Sequence, residues 1–174
     1  MPRVGRVLIT EAELRARVTA LGAEIARDYG GLRPVLVGVL RGAFLFMADL
    51  ARAIPVELET DFIGVASYGR GTRSSGQVRI TSDLERAIEG RHVLLVEDIV
   101  DTGLTLTYLR RTLDARRPAS LKVCTLLDKR ARRQVEVALD YVGFRVEDVY
   151  VVGYGFDYDG LYRNLPHVAA LEDA

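Results

Sequence analysis

The stretch VLLVEDIVDTGLT, Val93 to Thr105, decides how this chain is read. Val93 to Val96 is continuously apolar, as expected of a strand that a parallel sheet buries on both faces. It runs into two adjacent carboxylates, Glu97 and Asp98, a third at Asp101, and then Thr102-Gly103-Leu104-Thr105. The following LTLTYLRRTLDARR has amphipathic helical periodicity and stops at Pro118. Strand, acidic turn and helix place these polar groups where open α/β sheets collect ligands, outside the carboxyl ends of their strands.

A turn of this kind suits a phosphate. Consecutive backbone amides, a glycine permitting close approach, and hydroxyls from Thr102 and Thr105 at the positive end of a helix form an anion cradle that needs no lysine. Carboxylates beside a phosphate repel it unless they bind something else, such as vicinal hydroxyls or a divalent cation. Phosphate, diol and metal together describe a phosphorylated ribose.

Outward from this stretch the pattern repeats. PVLVGVLRG reads as a strand and turn, and AFLFMADLARAI as the helix after it. SLKVCTLLD is another buried strand, followed by basic KRARR, whose spacing predicts a solvated helical face. Thr10 and Glu13 have capping-box spacing ahead of ELRARVTALGAEIARDYGG, which predicts a surface helix. VELETDFIGVASYG reads as a long strand, RGTRSSGQ as a loop without periodicity, and VRITSDL as a short returning strand. YVGFRV and VYVVGYGFD are further apolar stretches, and LYRNLPHVAAL is expected to return a strand to the sheet edge. Strands alternating with helices predict an α/β fold with a largely parallel central sheet flanked by helices, in a single domain over residues 1–174.

Composition sets outer limits. The 24 basic and 24 acidic residues give a formal net charge of zero, so no global field draws the protein to nucleic acid or an anionic membrane. The single cysteine, Cys124, lies in an apolar run, which predicts a buried core residue and a reducing, cytosolic compartment. No segment has the apolar length of a signal peptide or a membrane span. His92 and His167 lack metal-ligand spacing and are read as structural or surface residues.

VLLVEDIVDTGLT resembles the phosphoribosyl-pyrophosphate (PRPP) signature of the type I phosphoribosyltransferases, and the resemblance extends in order from about residue 8 to residue 171. It implies that family's fold, with a small hood formed by the N- and C-terminal segments. Asp101 matches the position at which the 6-oxopurine branch carries its aspartate, and a carboxylate there is suited to accept the proton a purine loses on joining the ribose. For the rest of the signature the resemblance implies ribose and 5′-phosphate binding by Glu97, Asp98, Asp101, Thr102, Gly103 and Thr105.

Other segments carry further roles. VYVVGYGFDYDGLYRNLPHV resembles the branch's purine-binding segment, which implies that Tyr150 stacks on the base, the Val151 backbone reads its exocyclic group, Asp157 holds metal and Arg163 meets pyrophosphate. Lys129 is implied to bind the exocyclic oxygen, and Glu97 and Asp98 to hold Mg2+. VLRGAF matches the pyrophosphate loop through Arg41 and Gly42, with arginine where relatives often have lysine, and implies a cis peptide between Leu40 and Arg41. ASYGRGTRSSG is similar to the family's lid, through Ser67 and Tyr68.

The implied activity is purine salvage: Mg2+-dependent transfer of 5-phosphoribosyl from PRPP to hypoxanthine, guanine or both, giving IMP or GMP and pyrophosphate. The implied assembly is a homodimer or homotetramer, with neither nucleic acid nor membrane as partner. A xanthine- or uracil-preferring enzyme is the nearest alternative. A messenger-RNA-binding regulator on the same fold, using KRARR and RRTLDARR as basic patches, is the alternative from another class.

Overall fold

The computed structural model describes residues 2–68 and 77–173. Its elements are β1 (Arg3–Ile9), α1 (Glu11–Tyr29), β2 (Val35–Leu40), α2 (Phe44–Ala53), β3 (Glu59–Tyr68), β4 (Gln77–Ser82), β5 (His92–Val100), α3 (Leu104–Asp114), β6 (Ser120–Asp128), β7 (Tyr141–Arg145), β8 (Val151–Val152) and β9 (Val168–Glu172). Six strands form one sheet in the order β4-β3-β2-β5-β6-β7. All neighbours are parallel except the edge pair β3–β4.

Sheet position explains the continuous apolar runs. Leu94 and Val96 face a core built with α1 and α2, while Val93 and Leu95 face a second core built with α3. Alternation along β5 thus feeds two hydrophobic layers, and the strand has no solvent face to make polar. Cys124 of β6 is buried in the first layer, where burial pushes its thiol well above the ordinary range. At the start of α1, Thr10 accepts from the Glu13 amide and Glu13 accepts from the Thr10 amide, the reciprocal capping box its spacing predicts.

A second sheet, β1-β9-β8, joins the two chain ends and forms the hood. Two readings of the sequence change here, and one strand, β1, is added to them. LYRNLPHVAAL supplies β9, which pairs antiparallel with β1 and β8, not with an edge of the central sheet. VYVVGYGFD yields only two strand residues, because the chain then folds back: Tyr154 N–H donates to Leu165 C=O at 2.8 Å and Gly155 N–H to Arg163 C=O at 3.0 Å. β1 carries no period-2 signature, since two register shifts interrupt its pairing.

KRARR is not a helical face either. Only Arg130–Arg132 form a short 3-10 turn, while the Lys129 and Arg133 side chains on either side of it are buried.

Candidate active site

β5 runs four residues beyond its hydrophobic stretch, so Glu97 and Asp98 lie within the strand and Asp101 just past its end. A cavity of about 250 Å3 opens there, lined by Glu97, Asp98, Asp101, Thr102, Gly103 and Thr105. A larger groove of about 620 Å3 between α1 and α2 is lined by none of the predicted site residues.

The turn has the geometry an anion cradle requires. Gly103 has φ of +86°, a left-handed conformation that favours glycine, and a Cβ there would lie 2.5 Å from the Val135 carbonyl. From Gly103 the chain enters α3, whose first amides have no helical partners. Thr102 Oγ1 accepts from the Leu104 amide at 3.3 Å, and the Thr102 carbonyl accepts from the amides of Gln134 and Val135 at 2.9 and 3.1 Å.

The acids are in unequal states. Burial, and then the Asp98 charge, push the Glu97 carboxyl well above the ordinary carboxylate range. Burial pushes Asp98 up to about 6, although the Ile99 amide and the Arg163 charge pull the other way. Asp101 Oδ1 is buried and has no hydrogen-bond partner among the described residues.

An acidic pair left uncompensated beside a cavity fits a divalent cation. No three His, Cys, Asp or Glu side chains converge among the described residues. The pair could give one or two carboxylates to a cation that completes its shell with water or phosphate oxygens.

The pyrophosphate-loop residues meet the acids directly. The Leu40–Arg41 peptide is cis, as the resemblance implied. A Cβ on Gly42 would lie 1.7 Å from Asp98 Oδ2, and one on Gly155 would lie 2.2 Å from the Gly42 carbonyl. Acidic pair, loop and C-terminal segment are therefore stacked backbone to side chain around Gly42. The Arg41 side chain is exposed.

In the C-terminal segment Arg163 Nη2 pairs with Asp157 Oδ1 at 2.8 Å, and its Nη1 donates to the Gly155 carbonyl at 2.5 Å. Asp157 Oδ2 also accepts from the Gly160 amide at 2.8 Å. Tyr150 is 45% exposed and donates its hydroxyl to the Asp157 carbonyl at 3.0 Å, with Tyr158 edge-on to its ring. An aromatic face left this open is available for stacking. Val151 beside it is buried in β8.

Lys129 follows β6 directly, and its backbone amide donates to the Val100 carbonyl at 3.0 Å. Its ammonium is buried, with Asp148 Oδ1 3.8 Å away. Ser67, near the end of β3, is exposed, and Tyr68 pairs through its backbone with Gln77. The remainder of the expected lid, 69–76, lies outside the described residues.

Two residues behind the turn escaped the sequence reading. Asp128, the last residue of β6, is 1% exposed and accepts from Arg133 Nη2 at 2.5 Å. Arg133 Nε donates to the Asp101 carbonyl at 3.0 Å. The available signal was a carboxylate closing an otherwise apolar strand, which demands a cation inside the fold.

Residues 8–159 match the family model for the phosphoribosyl transferase domain. The chain is 48% identical over 171 residues to the hypoxanthine-guanine phosphoribosyltransferase of Bacillus subtilis (strain 168), covering 98% of this chain and 95% of that protein. It is 50% identical over 169 residues to the bifunctional protein TilS/HprT of Listeria monocytogenes (serotype 4b, strain F2365), with 97% of this chain spanning 26% of that longer protein. The crystal structure of a hypoxanthine phosphoribosyltransferase from Staphylococcus aureus superposes with a TM-score of 0.93 at 44% identity, over 97% of this chain and 92% of the other.

Proposed function

Since the chain belongs to the phosphoribosyltransferase family, we propose that its cavity transfers 5-phosphoribosyl from PRPP to the ring nitrogen of hypoxanthine or guanine. The observation that carries this reading is Asp101 Oδ1: a buried carboxylate oxygen with no partner among the described residues, on the wall of the cavity, at the end of β5. A buried acceptor left unpaired costs stability, and a purine N–H is the donor it lacks.

The C1′–O bond to pyrophosphate breaks, a C1′–N bond forms, and the purine proton passes to Asp101. Positive charge grows on the ribose as that bond loosens, and negative charge on the leaving group. Glu97 and Asp98 hold the ribose hydroxyls and would hold a Mg2+ ion, and Asp157 would hold a second on the pyrophosphate side. When bound, the metal supplies charge neutralisation for the leaving group.

Thr102, Gly103 and Thr105 take the 5′-phosphate on amides and hydroxyls, while Arg41, Gly42 and Arg163 take pyrophosphate. The base lies against Tyr150, its exocyclic group met by the Val151 backbone and its oxygen by the Lys129 ammonium. Burial of Lys129 supports this role, since a desolvated ammonium gains most from a substrate acceptor. Ser67 and Tyr68 close over the reacting atoms.

The basic stretch offers little to RNA, with Lys129 and Arg133 turned inward. No helix among the described residues is long and apolar enough to cross a membrane. The reading includes the cytosol, which the unpaired buried thiol of Cys124 supports, and assembly as a homodimer or homotetramer, measurable by sedimentation. The deciding assay follows ultraviolet absorbance of hypoxanthine, guanine, xanthine and uracil with PRPP, with and without Mg2+. Turnover of the first two that needs both additions is expected, and faster turnover of xanthine or uracil overturns the assignment.

A further inference from the structure

Among the described residues one oxygen of the Asp101 carboxyl has no partner, so its aim comes from the backbone that carries it. That backbone lies beyond the last β5–β6 register pair, Val100 opposite Asp128, where neighbouring strands no longer supply hydrogen bonds. Arg133 fills the gap. Its guanidinium donates to the Asp101 carbonyl at 3.0 Å, to the Val100 carbonyl at 3.4 Å, and to Asp128 at 2.5 Å.

The Arg133 and Asp128 side chains are 8% and 1% exposed. Burying such a pair is a poor way to gain stability, because desolvation offsets much of the attraction. Its planar fork, however, fixes several acceptors at once, which an ammonium cannot do. The clamp continues along the chain, since the amides of Gln134 and Val135 hold the Thr102 carbonyl and Arg133 Cδ lies 3.3 Å from the position of a Gly103 Cβ. Arg130 pairs with the other oxygen of Asp128 at 3.1 Å, but its side chain is 65% exposed, and it hydrogen-bonds to no carbonyl of the turn.

We propose that Arg133, oriented by Asp128, is a positioning residue that sets the Asp101 carboxylate for proton transfer. This rests on the reading of Asp101 as the proton acceptor. Acting through another group, Arg133 lowers the rate when removed and leaves ground-state binding nearly untouched.

The test is steady-state kinetics of Arg133→Met, Arg133→Lys and Arg130→Gln, with Arg133→Met repeated on Asp101→Asn. Arg133→Met is expected to lower kcat about 10- to 100-fold, the cost of a small misplacement, with KM for PRPP and purine changing less than about threefold. Arg133→Lys recovers only part of kcat, and Arg130→Gln stays within about twofold of the parent. On Asp101→Asn, Arg133→Met costs less than about twofold more, because coupled residues are not additive.

Parental kcat in Arg133→Lys overturns the proposal, as does a full multiplicative loss on Asp101→Asn; either assigns Arg133 to fold support alone. If Arg133→Met does not fold in a melting scan, Arg133→Lys decides on its own. Parental turnover in Asp101→Asn alone removes the proton-acceptor reading instead, and that arm is read before any arginine is changed.

Discussion

Two sets of carboxylates belong to the candidate site, one on each side of Gly42, and they are in opposite states. At the end of β5, Glu97 and Asp98 are held above the ordinary carboxylate range by burial, and no cation hydrogen-bonds to either among the described residues. In the C-terminal segment, Asp157 is already paired with Arg163 and with the Gly160 amide. Under the proposed function, the first set is where substrate and metal would supply the missing charge, and the second is a pair that ligand would have to open. Charge removed on the β5 side should cost rate, and charge removed on the paired side should cost affinity.

The sharpest division comes from Asp101→Asn. The variant keeps shape and loses the proton acceptor, so kcat should fall about 10²- to 10⁴-fold while PRPP affinity holds within a small factor. Single-turnover kinetics with a PRPP titration separate the two. A loss confined to affinity would make the β5 side resemble the paired side and dissolve the contrast.

Gly42→Ala probes the place where the two sides touch. The added methyl would lie 1.7 Å from Asp98 Oδ2, so the acidic pair or the pyrophosphate loop must shift. Displacement on that scale predicts a loss of about 10²-fold in kcat/KM for PRPP, with kcat and KM both affected. A change in one parameter alone would show that the sides move independently.

On the paired side, Asp157→Asn removes one charge and frees Arg163. The expected outcome is a rise in KM for PRPP of about 10- to 100-fold, the worth of one charge-assisted contact, with kcat lowered less. Pyrophosphate inhibition constants provide the check. An equal fall in kcat would place Asp157 among the groups that act in the transition state.

The two sides also differ in how plainly the sequence shows them. Val93 to Thr105 is contiguous, and its local chemistry suffices: a doubly buried strand has to be apolar, and a left-handed turn has to contain Gly103. The capping box of α1 is local in the same way. The hood is not, since β9 selects β1 and β8 through contacts far apart in sequence, and the bulges of β1 erase its alternation. Arg133 was hidden for a related reason. Within KRARR it looks like any surface cation, and only the carboxylate of Asp128 in three dimensions turns it inward.

Glu97→Gln isolates the deficit itself, in metal-free protein. A carboxyl whose folded value is raised binds more protons folded than unfolded, so stability is greatest below the ordinary carboxylate range and declines as pH rises through the folded value. For Asp98 that window runs from its ordinary 3.8 to about 6, and Glu97 extends it upward. Neutralising Glu97 removes its own desolvation penalty and the repulsion it shares with Asp98. With EDTA present, the variant should therefore melt at nearly the same temperature as the parent at pH 4, and higher than the parent at pH 8. Adding Mg2+ and PRPP should reverse the order, because the parent gains the bound ligands and the variant gains less. Equal melting temperatures at pH 8 without metal would mean that the β5 carboxylates are as well compensated as Asp157, and the contrast between the two sides would not be electrostatic.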